Sequence, residues 1–306
     1  MSVARLLSIC AVIVTCDLFP GTAQAVHPDK HMVITRLAFS EYQDCLRTLS
    51  VEDTLSRGIG SIAEHSGLED ISPILERFFN WHFYDAYRDT DAAMGSTMLG
   101  SRKSLHHIYD ERIAALLDAV NQSDEDSYYE YTGRILHFIQ DMTVPAHVAP
   151  IYHYKFIWFD KSDYFDEMTE WESTAYSKTG DLCEFDRVDK QELQVQLNLI
   201  LNETAFRTRK RVMQNIPAPD GHLLHGRTWE AFWVIRDPAE EDRYVDTMSG
   251  FAPYGPEGNE GFGKLCETPG VDRQLCLDFH RRSFDDVITY TVKALLTINQ
   301  VRLKSS

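Results

Sequence analysis

The chain has 306 residues, 43% of them hydrophobic and 25% charged, and carries a formal charge of −17. So acidic a surface repels a nucleic-acid backbone, and no nucleic-acid partner is expected. The apolar content suits a globular chain rather than a disordered one, and beyond the amino terminus no run is long and apolar enough to cross a bilayer.

Residues 1–25 read as an export signal. Arg5 precedes an apolar run over 6–14, and Ala23-Gln-Ala25 has the small-x-small pattern of a cleavage site. Cleavage after Ala25 makes Val26 the mature terminus. It removes Arg5 and Asp17 together, so the charge stays at −17. Residues 26–306 show no linker or repeat and are expected to form one domain. The periodicity is helical almost throughout. A first helix is expected over 30–49, with Ile34, Leu37 and Ala38 on one face. Ser72-Pro73 reads as a helix start ahead of Ile74, Leu75 and Phe78. A third helix covers 104–120. Ser123-Asp-Glu-Asp126 caps a fourth over 127–142, whose path Pro145 interrupts. Residues 163–177 and 190–213 look helical, 214–281 are punctuated by Gly and Pro, and 284–301 close the chain as a helix. No sustained alternating pattern suggests strands, so the expected class is all-α. Cys45, Cys183, Cys266 and Cys276 remain after cleavage, and an even number in an exported chain suggests disulfides. Cys266 and Cys276 flank Pro269-Gly270 and form the expected local pair. None sits in a C-x-x-C arrangement, which argues against a cysteine zinc site.

The chemistry-bearing residues fall in three clusters. His137 and Asp141, one helical turn apart, project from one face, and His147 follows the break at Pro145. Zinc takes imidazole nitrogen and carboxylate oxygen at roughly 2 Å, and this spacing supplies both. A surface hydrogen-bonded pair is the ordinary reading of such a spacing. Yet Ile135, Leu136, Phe138 and Ile139 surround this one, and a carboxylate buried there needs a strong partner. Upstream, Glu69-Asp70 precedes His82-Phe-Tyr-Asp85. The ordinary reading is a solvated acidic pair at a helix start, followed by a core histidine held by a backbone carbonyl. The third cluster is the expected terminus, Val26-His27-Pro-Asp-Lys-His31, with its free amine and two imidazoles; a frayed tail is the ordinary alternative.

Taken in order, these residues resemble the bacterial zinc-dependent phospholipases C. The string His137-Phe-Ile-Gln-Asp141-Met-Thr-Val-Pro-Ala-His147 is similar to that family's His-x-x-x-Asp-…-Pro-x-His signature. Asp70 followed by His82-Phe-Tyr, and His31 at the head of an amphipathic helix, resemble its upstream elements. The likeness covers residues 26 to about 170. Fungal single-strand-specific nucleases look like distant relatives. The resemblance implies an all-α fold with a cleft for up to three zinc ions. His82, His137, Asp70 and Asp141 would hold one. Asp141 would bridge to a second, bound also by His31 and by the amine and carbonyl of Val26. His147 would help hold a third. Two departures stand out. Val26 replaces the usual Trp at the mature terminus. The family's following His-x-x-x-Glu is here Lys161-Ser162-Asp163-Tyr-Phe-Asp166-Glu167, with Ser162 near the expected His. Asp166 is the carboxylate carried over, with Asp163 and Glu167 as competitors, and His153 is a candidate for the missing imidazole.

The activity this implies is hydrolysis of the glycerol-side phosphodiester of a phospholipid such as phosphatidylcholine by metal-activated water. Asp70 is the expected catalytic residue, orienting the water or accepting its proton. The expected partner is a phospholipid headgroup or membrane surface, with no obligate protein partner, and the expected location is the periplasm or the medium. The aromatic stretch Tyr152-His-Tyr-Lys-Phe-Ile-Trp-Phe159 suits either a lipid interface or a loop covering the core. A nuclease of the related family, or a non-catalytic zinc-binding protein on the same scaffold, are the alternative readings.

Overall fold

The structure is a computed structural model and describes residues 28–69, 82–84, 105–149, 151, 155–156, 159–160, 163–168, 182–184, 188–234 and 254–303. It is all-α. Helix α1 spans Pro28–Leu49 and α2 spans Ile59–Leu68, after one turn of 3-10 helix at Ser56–Gly58. Helices α3 (Leu105–Gln122), α4 (Glu125–Asp141) and the single turn α5 (Pro145–Val148) follow. A two-residue hairpin pairs β1 (Lys155–Phe156) with β2 (Phe159–Asp160) in antiparallel register. Then come α6 (Tyr164–Glu167), α7 (Leu193–Val212), α8 (Gly258–Glu267) and α9 (Val271–Leu303).

Helix α4 is the hub. It starts where Asp124 accepts from the Ser127 backbone N–H at 3.2 Å, with Glu125 and Asp126 in the first turn, where the helix dipole favours negative charge. It ends at Asp141. Val144 is extended ahead of Pro145, so the chain turns there before α5 begins. Every residue from Ile135 to Asp141 is buried, because α4 packs on α2, α3, α7 and α9 and has no solvent face in that stretch. Fully burying each Ile, Leu or Phe there contributes about 1.5–3 kcal/mol, and that packing is what carries His137 and Asp141 inside.

Helix α1 buries Ala38, Phe39, Tyr42, Cys45 and Leu46 on one stripe, while Leu37, read as part of the apolar face, points to solvent. Helix α2 arises in a stretch that periodicity left unassigned. Gly133 of α4 explains how closely α2 is held. A Cβ there would stand 2.3 Å from the Ile62 carbonyl oxygen and 2.9 Å from the Ser66 nitrogen. Only glycine lets the two backbones approach so closely. Glu69, at the end of α2, is buried rather than solvated, and it closes a helix rather than starting one. It accepts from Arg112 of α3 at 2.7 Å and pairs with Arg134 of α4, tying three helices together.

Two apolar clusters share the long helix α9. Its carboxyl-terminal part, from Phe284 to Val301, lies in the larger cluster with α1, α3, α4 and α7. Its first turns place Leu275, Cys276 and Phe279 in the second, with Phe165, Trp229, Phe232, Trp233 and Phe262. Helix α8 and the first third of α9 thus occupy the punctuated region that periodicity does not resolve. The helix expected over 163–177 is short where described. It stops at Glu167, and Met168 takes an extended conformation. The helix start at Ser72-Pro73 lies outside the described residues. Both cysteine pairs are disulfides: the local Cys266–Cys276 bond and a Cys45–Cys183 bond spanning 138 residues. No helix among the described residues is long and apolar enough to cross a membrane.

Candidate metal centre

Four imidazoles surround the Asp141 carboxylate, which is fully buried. His82 Nδ1 donates to Asp141 Oδ2 at 2.7 Å. His137 Nε2 lies 3.2 Å from the same oxygen, and His147 Nδ1 lies 3.6 Å from it. His31 Nε2 lies 3.5 Å from the other oxygen, Oδ1, which accepts no hydrogen bond from the described residues. His31, His137 and Asp141 form a buried group whose ligand atoms lie within 4.8 Å of one another, an arrangement able to hold a metal ion. It is the one such group among the described residues.

The hydrogen bonds behind these imidazoles decide where their lone pairs point. Ser66 Oγ donates to the Ala63 carbonyl at 2.7 Å, and Thr35 Oγ1 donates to Ser66 Oγ at 2.9 Å. Thr35 Oγ1 therefore accepts from Gln140 Nε2 at 2.9 Å, which turns Gln140 Oε1 toward His31. That oxygen can only accept, so His31 Nδ1 is the donor at 2.7 Å and Nε2 carries the lone pair. His137 is fixed in the same sense, because its Nδ1 donates to the Ser66 carbonyl at 2.9 Å. Its Nε2 also faces Asp141 and offers a lone pair once that nitrogen gives up its proton. Two imidazole nitrogens and a carboxylate oxygen thus converge, a cluster that could hold a cation. Nitrogen and oxygen donors from three residues, each imidazole backed by a second hydrogen bond, could together hold a metal ion.

Electrostatics agree with that form. Burial first, then the neighbouring His137, pushes the His31 imidazole down to about 3 against the opposing pull of Asp141. Burial likewise pushes His82 down to about 3. Both rings are neutral near pH 7, as ligation requires. Burial works to raise the Asp141 carboxyl. His137, His147 and His82 outweigh it and hold Asp141 well below the usual carboxylate range.

The break at Pro145 brings the chain back. His147 Nδ1 donates to the His82 carbonyl at 3.0 Å, and the Tyr84 N–H donates to the His147 carbonyl at 3.1 Å. The backbone carbonyl of His82 thus anchors His147, whereas the His82 ring itself is held by a carboxylate. Asp166 is buried and lines a cavity of about 60 Å³ together with Lys30, His31, Gln140 and His280. Asp163 is spoken for. One of its oxygens accepts from the Asp166 N–H at 3.3 Å, and the other accepts from Trp233 Nε1 at 3.0 Å and Tyr254 OH at 2.9 Å. It caps α6 and fastens it to the tryptophan cluster, which removes it as a competitor for a metal. Glu167 is exposed. Val26, Asp70 and His153 lie outside the described residues, as do the side chains of the 152–159 segment.

Sequence reading did not single out Gln140, Thr35 or Ser66. Gln140 was visible beside Asp141, and Thr35 stands one turn beyond His31 on the same face. Ser66 had no local signal, since its role comes from the close approach of α2 at Gly133. Compared with protein-family models, curated proteins and solved structures, the chain finds no match.

Proposed function

We propose that this chain is an exported, zinc-dependent phosphodiester hydrolase acting as a phospholipase C. The observation that carries the reading is the buried trio His31, His137 and Asp141, with two imidazole Nε2 atoms turned on one carboxylate. The ordered likeness of Asp70, His82, His137, Asp141 and His147 to the phospholipase C signature supports the choice of reaction. Two disulfides are compatible with an oxidising compartment outside the cytosol.

His31, His137 and Asp141 would hold the zinc ion, with His82 bonded to Asp141 behind it. A bound zinc ion supplies Lewis acidity toward a phosphoryl oxygen and eases deprotonation of water. The protein's own part is positional. Gln140 and the Ser66 carbonyl hold the Nδ1 proton of each imidazole and so leave Nε2 as the ligating nitrogen. Burial keeps His31 and His82 neutral and strengthens each electrostatic contact around the substrate. Asp70 is assigned the water-orienting role on the strength of the resemblance.

The test combines metal analysis with an assay on phosphatidylcholine vesicles and on single-stranded DNA, with and without chelator. Release of phosphocholine that stops on chelation and returns with zinc is expected. Cleavage of DNA alone would move the reaction to the nuclease branch. Full activity in metal-free protein would overturn the reading, and zinc binding without hydrolysis of either substrate would leave a binding protein.

A further inference from the structure

Away from the histidine cluster, α7 and α9 face each other across a cavity of about 410 Å³. Arg207, Lys210 and Arg211 line it from α7, and Arg282 lines it from α9 with Asp285 and Asp286. Four cations against two carboxylates leave a local positive excess in a chain whose overall charge is −17. Asp286 is shared, accepting from Arg207 Nε at 2.8 Å and from Arg211 Nη2. Arg211 is only 6% exposed and also donates to Ser283 Oγ at 2.9 Å. Lys210 and Arg282 are exposed and make no ion pair among the described residues. Burial, then repulsion from Arg207 and Arg282, pushes the Arg211 guanidinium down to about 10. The like charges are thus held close together by the fold and are only partly compensated.

We propose that this cleft is a binding site for a phosphomonoester dianion. Two charges on the ligand would match the excess. Guanidinium forks and an ammonium reaching in from two helices suit a tetrahedral group with several acceptor oxygens better than a flat carboxylate. A cavity of this volume leaves room for the organic part of a small ester. The assignment does not depend on what the His31–His137–Asp141 centre does. The phosphate could belong to a soluble ester or to the headgroup of an anionic lipid, and the two sources are separable.

The probe is glycerol 3-phosphate, titrated calorimetrically at about pH 8 against sodium chloride of matched ionic strength. Saturable binding is expected for the wild type. Arg282→Gln with Lys210→Gln should weaken it about tenfold or more. Both positions are exposed, so fold is expected to be kept, and circular dichroism checks this. Sedimentation with phosphatidylcholine vesicles, with and without phosphatidic acid, identifies the source. Phosphatidic-acid-dependent binding that glycerol 3-phosphate displaces assigns a lipid headgroup, and binding of the free ester alone assigns a soluble ligand. No saturable binding by the wild type, or an isotherm unchanged by the double substitution, would overturn the site.

Discussion

Gln140 shows how a residue outside the candidate trio can govern one of its members. Its carbonyl oxygen holds the proton of His31 on Nδ1, and its amide is held in turn through Thr35 and Ser66 to the Ala63 carbonyl. Gln140→Leu keeps volume and helix propensity but breaks the relay. Zinc affinity, measured by competition with a chromogenic chelator, is expected to fall about 10–100-fold with the fold retained. An unchanged affinity would separate the relay from the site. A second consequence concerns acid. Burial pushes His31, His82 and His280 each down to about 3 from an ordinary value of 6.5. Between those values the unfolded chain binds protons that the folded chain refuses, so ν_U exceeds ν_N and stability falls as pH falls. Metal-free protein should lose about 1.4 kcal/mol per pH unit for each such imidazole as pH drops below about 6.5. Urea midpoints at about pH 7.5, 6.5 and 5.5 measure the slope, and a flat profile would contradict the burial argument. Because His280 lies outside the ligand trio, His280→Gln should remove one share of that slope.

At the scale of elements, the contact between α2 and α4 sets the site. Gly133 lies one turn before His137 on α4, and its missing side chain brings the Ser66 carbonyl within reach of His137 Nδ1. Gly133→Ala is expected to cost about 1–3 kcal/mol as the backbones part, and to weaken metal binding as well. Denaturant melts and zinc titration on the same sample check both. A stability loss without any change in zinc affinity would show that the helices separate elsewhere. The elements differ in how far the sequence alone reveals them. Helix α4 was legible because Asp124 caps it, apolar residues crowd its second half, and Pro145 stops its path. Helix α2 was not. Gly60, Ser61, Ser66 and Gly67 are poor helix formers, and packing between α1 and α4 is what holds it helical. The first turns of α9 were missed for another reason. Their apolar residues Leu275, Cys276 and Phe279 serve the second cluster and sit among Asp272, Arg273, Gln274, Arg281 and Arg282. The histidines of the site were legible as residue types in order. Their tautomers were not, since those depend on carbonyls that only tertiary packing supplies.

For the whole molecule, covalent closure dominates. The Cys45–Cys183 bond ties α1 to a point 138 residues further along, and the enclosed stretch carries His82, His137, Asp141 and His147. Removing it by Cys45→Ser with Cys183→Ser should lower stability by up to about 5 kcal/mol on the loop-entropy account, read as a shift in the urea midpoint. The local Cys266–Cys276 bond closes a short loop beside Met168 and Phe279, and its removal should cost less. The long bond has a further consequence, for any encounter with a protease. A single cut between α1 and His82 would put His31 on one polypeptide and His137 with Asp141 on another, yet leave one covalent molecule. Such a two-chain form should migrate as one band without reductant and as two with it. Whatever metal the trio takes up should stay bound until the bond is reduced, so that thiol exposure, rather than cleavage, is what parts His31 from His137 and Asp141.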